Sequence, residues 1–144
     1  MQKLLIQKIN PNMPDPKFSS EHAGGIDFYP DIEETIVLEP GEKASISTGI
    51  KMAIPVGYVG LLMPRSSTGN NGLMLKNTIG LIDSDYRGLV TAKIRNTEDL
   101  DLVINPTDRF VQMTIVKIYE DGAEIVDSLP ETERGEGGFG STGK

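Results

Sequence analysis

Apolar and polar positions alternate over short stretches along most of the chain. Ala44, Ile46, Thr48 and Ile50 recur between more polar neighbours, and Leu89-Val90-Thr91-Ala92-Lys93-Ile94-Arg95 shows the same period of two. That period puts every second side chain on one face of a β-strand. Shorter apolar runs at Lys3 to Ile9, Thr35 to Leu38, Met52 to Ile54, Tyr58 to Met63 and Leu73 to Leu75 predict further strands. Turn signals separate them, among them Pro30-Asp31, Glu39-Pro40-Gly41-Glu42 and Pro55-Val56-Gly57. In such turns Pro presets φ and Gly accepts a positive one. Three prolines between Pro11 and Pro16 exclude regular structure there. Phe110 to Tyr119 predicts the strongest strand. It is apolar on both faces, through Val111, Met113 and Ile115 on one and Phe110, Val116 and Ile118 on the other. Such a strand wants cover on both sides, from a second sheet or from another subunit. No sustained helical stripe occurs, and the one helical possibility is a turn or two at Ser66–Asn71. Short strands between regular turn signals predict an all-β sandwich or barrel.

The tail breaks this pattern. Arg134 to Gly143 holds five of the sixteen glycines, with one Phe and one Arg among them. Such a strip cannot bury enough surface to pack by itself. Read from its residues, the tail is either a disordered terminus or a lid that orders on a ligand, with Arg134 and Phe139 as anchors. The expected organisation is a β-barrel domain over residues 1–130 and a flexible arm over 131–144. Glycine-exposed N–H groups also suit phosphate.

Composition narrows the chemistry. There is no cysteine among the 144 residues, so disulfides, thiolate metal sites and thiol catalysis are excluded, which fits a reducing cytoplasm. His22 is the only histidine and has no metal-ligand companion, against a zinc site or a Ser–His–Asp set. A formal charge of −7 argues against a sequence-independent nucleic-acid binder. No apolar run approaches the roughly 18 residues of a membrane span.

Four clusters near strand ends combine Gly, Pro and polar residues. Ala23-Gly24-Gly25-Ile26-Asp27 reads as a turn into a strand, with Asp27 as a cap or a site carboxylate. Pro64-Arg65-Ser66-Ser67-Thr68-Gly69 offers a forked cation and consecutive hydroxyls, a good anion site or simply an N-cap with a surface Arg. Gly80-Leu81-Ile82-Asp83-Ser84-Asp85-Tyr86-Arg87-Gly88 packs two carboxylates, a hydroxyl, a phenol and a guanidinium between strand-like runs. By itself it reads as a solvated turn. Its Asp83-Ser84-Asp85 lacks the remaining ligands of a calcium loop. In Pro106 to Met113, Gln112 is an amide inside an apolar strand, and a buried amide needs partners.

With the glycine-rich tail these make five clusters, whose order and spacing resemble the motifs of the homotrimeric dUTPase family (deoxyuridine triphosphate nucleotidohydrolases). The resemblance runs from about residue 3 to residue 143. It implies a distorted, β-barrel-like jelly roll and a homotrimer with three shared active sites, the arm of one chain closing over a site of others. It implies hydrolysis of dUTP to dUMP and pyrophosphate with Mg²⁺, in the cytoplasm or, for a viral chain, the host cell cytoplasm. Such an activity keeps uracil out of DNA and supplies dUMP for thymidylate synthesis. The resemblance makes Asp83 the general base that deprotonates water. Uracil falls to Asn77, Gly80, Leu81 and Ile82, with Phe139 stacking on the base and Tyr86 against the deoxyribose. It assigns the phosphates to Arg65, Ser66, Ser67 and Gln112, and from the arm to Arg134, Gly138, Ser141 and Thr142. Asp27 becomes the carboxylate nearest the metal, acting through bound water. Two positions depart from the common family pattern: Ser67 where many members carry Gly, and Leu89 where an acidic residue is common. A dCTP deaminase, which shares fold and an Arg-Ser-Ser motif, and a trimeric interaction protein are the competing readings.

Overall fold

A computed structural model describes residues 3–138. Twelve short strands and one short helix follow in order. They are β1 (Leu5–Lys8), β2 (Lys17–Phe18), β3 (Ile26–Phe28), β4 (Ile36–Leu38), β5 (Lys43–Ser47), β6 (Ile50–Ala53) and β7 (Tyr58–Pro64). After them come α1 (Ser66–Asn70), β8 (Leu73–Leu75), β9 (Gly80–Ile82), β10 (Thr91–Asn96), β11 (Leu102–Ile104) and β12 (Val111–Lys117). All pairings are antiparallel, in sheets ordered β1-β6, β5-β10-β8, β11-β4 and β2-β3-β12-β7-β9. The small sheets wrap one hydrophobic cluster, giving the all-β architecture that the alternation predicted and the distorted jelly roll that the resemblance implied. No helix among the described residues is long and apolar enough to cross a membrane.

Strand β10 shows how pattern becomes core. Its Thr-Ala-Lys-Ile-Arg-Asn sequence is alternately exposed and buried, with Ala92, Ile94 and Asn96 inward. Asn96 is fully buried yet satisfied: its amide donates to the carbonyls of Leu38 at 2.9 Å and Leu100 at 2.7 Å and accepts from the Glu98 N–H at 3.0 Å. Just upstream, the buried Val90 pairs with Thr48 and Ile50 through backbone bonds of 2.9 Å, although the ladder proper starts at Thr91.

Strand β12 divides along its length. Phe110, Val111 and Met113 are wholly buried at one end. At the other, Ile115 and Val116 are half-buried, Ile118 is exposed, and Tyr119 is 77% exposed. Of the two covers expected for this strand, the chain's own sheets supply only part. Beyond Tyr119 the described chain carries no strand or helix, and Ile125 and Leu129 stand open to solvent.

Candidate active site

The five-stranded sheet brings the first, second and fourth clusters together. Strand β12 lies between β3 and β7 in a register that sets Gln112 opposite Asp27 on one side and Met63 on the other. Arg65 follows directly from the end of β7, and Arg109 precedes β12. All of them meet at one corner of the sheet.

The hub of that corner is Asp27, a carboxylate only 3% exposed. Its Oδ1 receives Nε of Arg65 at 2.8 Å, and its Oδ2 receives Nη1 of Arg109 at 3.0 Å. The Ser19 hydroxyl, just past β2, also bonds Oδ2, and Arg109 Nη1 donates to Ser19 Oγ at 2.6 Å. A buried carboxylate survives only if compensated, and here two cations compensate one anion. The cleft beside it also carries the Asp108 carboxylate, so the corner offers an anionic ligand two oriented guanidinium groups rather than a net positive charge. Arg65 is held further by its Nη1 contact to the Arg109 carbonyl at 3.5 Å, and Thr68 Oγ1 ties α1 to the Phe110 carbonyl at 2.7 Å. Ser66 and Ser67 lie exposed beside it, with no side-chain hydrogen bond among the described residues. Arg65, Ser67, Thr68 and Arg109 line a cleft of about 340 Å³.

Gln112 completes the corner. Its Nε2 donates to the Pro64 carbonyl at 3.3 Å, and its Oε1 would stand 2.9 Å from a Cβ at Gly25. Gly25 thus lacks a side chain because the amide occupies the space. The amide in an apolar strand is explained: it stitches the first cluster to the second.

A second centre lies elsewhere. The turn between β8 and β9, closed by Thr78 N–H to the Leu75 carbonyl at 2.9 Å, overhangs a cavity of about 400 Å³. Its walls include Asn77, Gly80, Leu81, Ile82, Thr91 and Lys93. Gly80 packs on Leu62, whose Cβ would lie 3.1 Å from a Cβ at Gly80, so β9 approaches β7 closely. Thr78 itself has φ 65°, a strained value for a β-branched residue. Asp83 and Tyr86 come next in the chain. Asp83 is exposed, its carboxylate without a hydrogen bond or ion pair among the described residues. Tyr86 Oη donates to the Leu89 carbonyl at 3.1 Å.

Asp83 and the arginine corner lie apart within one chain. Antiparallel pairing puts Ile82 opposite Gly60 and Gly80 opposite Leu62, so Asp83 continues away from the Pro64 end of β7. From position 60 to Arg65 is five residues of strand rise, roughly 16 Å. Asn77, Gly80, Leu81 and Ile82 are gathered at one centre and Asp27, Arg65 and Gln112 at the other. Arg134 is exposed and bonds locally, Nε to the Gly137 carbonyl at 2.8 Å, and Gly138 ends the described chain. Phe139, Ser141 and Thr142 lie outside the described residues. Sequence reasoning missed Ser19, which has only a two-residue strand before it as a signal, and gave no role to Arg109. The role of Arg109 follows from strand register.

Among the described residues no three acidic, His or Cys side chains gather to hold a metal. Asp27, expected nearest the ion through water, has both oxygens taken by guanidinium groups and a hydroxyl. The side chains present do not fit a directly coordinated ion.

The dUTPase family model matches residues 11–143. The chain belongs to the dUTPase family. A deoxyuridine 5'-triphosphate nucleotidohydrolase of Syntrophotalea carbinolica is 41% identical over 97% of this chain and 96% of its own length. One from Herminiimonas arsenicoxydans is 38% identical over 100% and 99%. Among solved structures, a mutant dUTPase of Staphylococcus bacteriophage 80alpha with dUpNHpp superposes at a TM-score of 0.88, with 29% identity and full coverage of both chains. A mutant dUTPase of phage phi11 of S. aureus, whose structure concerns coordination of a structural Mg(II) ion, gives 0.79 at 28% identity over 90% of this chain and 100% of that one. Family and fold are those the five clusters implied.

Proposed function

We propose that this dUTPase hydrolyses dUTP to dUMP and pyrophosphate at sites built from more than one copy of the chain, in a homotrimer. The observation that carries the assembly is the separation of Asp83 from Arg65 along β7: Asp83 follows Ile82, which pairs with Gly60, whereas Arg65 follows Pro64 at the strand's other end. The uncovered end of β12 and the open apolar side chains after it supply surface for neighbouring copies.

In this reading uracil enters the hairpin cavity. The backbone of Gly80, Leu81 and Ile82 and the Asn77 amide pair with its edge, and the closeness of β9 to β7 leaves no room for a methyl on the ring. Tyr86 stands against the deoxyribose, so selection against UTP is steric. Arg65, Ser66, Ser67 and Gln112 of a neighbouring chain take the phosphates, with Asp27 and Arg109 fixing Arg65. Residues 131–144 act as the arm, Arg134, Gly138, Ser141 and Thr142 reaching phosphates and Phe139 stacking on the base. Asp83 accepts a proton from water, whose oxygen bonds the α-phosphorus in line as the bond to the bridging oxygen breaks. Pyrophosphate leaves with that electron pair. A positioned base contributes roughly 10²–10⁴-fold, so most of the acceleration comes from orientation and charge. Asp27 would reach a Mg²⁺ ion only through bound water, and such an ion, held by the triphosphate's oxygens, would offset their charge.

With Mg²⁺ and each nucleoside triphosphate in turn, pyrophosphate from dUTP alone is expected; ammonia from dCTP overturns the assignment. A mixing experiment tests the assembly. Asp83→Asn and Arg65→Ala proteins are each expected to be inactive, and subunit exchange between them to restore activity. Mixtures that stay inactive after demonstrated exchange contradict shared sites.

A further inference from the structure

Resting on the dUTPase reading, we infer that Gly88 is a specificity-determining position: it leaves the space in which the Tyr86 ring sits, and so sets discrimination against ribonucleotides. A Cβ at Gly88 would overlap Tyr86 Oη and Cζ and stand 2.9 Å from Cε2. Real Cβ atoms essentially never approach other atoms so closely. The backbone does not demand glycine there, because Gly88 is not among the residues with positive φ. The missing side chain therefore serves the ring, not the turn.

Three hydrogen bonds hold the turn against relieving the overlap. Tyr86 N–H closes it on the Asp83 carbonyl at 3.2 Å. Arg87 Nη1 then clamps two of its carbonyls, Ser84 at 2.7 Å and Tyr86 at 2.9 Å. What moves is the ring. Its position is tied to the nucleoside cavity through one acceptor: the Leu89 carbonyl takes both the Tyr86 hydroxyl at 3.1 Å and the hydroxyl of Thr91, a cavity residue, at 3.3 Å. A methyl at Gly88 displaces the ring, breaks that link and removes the wall that a 2′-hydroxyl would strike.

The measurement is the ratio of kcat/KM for dUTP to that for UTP, paired with the ratio of affinities for dUMP and UMP. Gly88→Ala is expected to lower both ratios by roughly tenfold or more, the lower range that one methyl's misfit commands in a tight pocket. Unchanged ratios overturn the inference. Tyr86→Ala and Tyr86→Ala/Gly88→Ala make the control, since without the ring the methyl has nothing to strike. The double variant is expected to match Tyr86→Ala in both ratios and to fold even if Gly88→Ala does not. A further drop on that background assigns Gly88 to the turn instead and overturns the inference. A wild-type protein that binds dUMP over UMP but releases no pyrophosphate from dUTP sinks the hydrolase reading alone, because the binding ratios still test Gly88.

Discussion

At the Pro64 end of β7, side chains are locked by charge: Asp27 is buried and grips Arg65 and Arg109, and Ser19 adds a third bond. At the Gly60 end the reverse holds. Asp83 and Tyr86 are exposed, the turn is held by backbone and guanidinium bonds, and the cavity combines aliphatic residues such as Leu62, Leu75 and Ile82 with Lys76, Asn77, Thr91 and Lys93. On the proposed function, the difference follows from what each end handles. Flexible, highly charged phosphates need cations that are already oriented, and a buried counter-ion supplies the orientation. A flat, neutral base needs shape and main-chain donors and acceptors. The base that activates water needs an unencumbered carboxylate. Stability is therefore invested at one end and chemistry at the other.

Substitutions at the two ends should separate these roles. The largest effect is expected at Asp83. Asp83→Asn should cut turnover by roughly 10²–10⁴-fold while leaving dUTP binding and the denaturant midpoint unchanged, since that carboxylate holds no partner among the described residues. Normal turnover in this variant would remove Asp83 from the mechanism. Asp27→Ala should behave the other way round, first as a folding defect. Removing the buried member of an ion pair costs about 3–5 kcal/mol, and the partial exposure of both arginines puts this case at the low end. Urea unfolding would measure it, and a loss below the scatter of surface substitutions would refute the hub. The smallest effect is expected at Thr78. Left-handed backbone costs a residue with a Cβ about 1–2 kcal/mol, and glycine returns about 0.4–1 kcal/mol of that through the unfolded chain. Thr78→Gly should thus raise stability by about 0.5–1 kcal/mol, read as a higher midpoint; a lower midpoint would mean that the Thr78 side chain makes a needed contact.

Much of this was legible in the sequence, and the reason is local. Period-two alternation set the inward face of β10, and Pro-Gly turns bounded the strands because turn chemistry is written in adjacent residues. The short helix at Ser66–Asn70 fell where the one helical possibility stood. Gln112 stood out because an amide in an apolar strand asks for partners; the Pro64 carbonyl answers it, and Gly25 leaves it room. The grip of Asp27 on Arg109 was not legible. It joins residues 82 positions apart and depends on a register that no short window contains. Ser19 was hidden for a related reason: β2 is two residues long and follows a run of prolines, so nothing local marks it as structured. The distance of Asp83 from Arg65 along β7 likewise needed the pairing of Ile82 with Gly60.

That separation has a kinetic consequence. A site completed by a neighbour obeys mass action, so on the proposed assembly specific activity becomes a function of protein concentration. Dilution below the dissociation constant should extinguish turnover faster than it unfolds the chain, and a molecule that merely prised copies apart would inhibit without touching either the uracil cavity or the arginine corner.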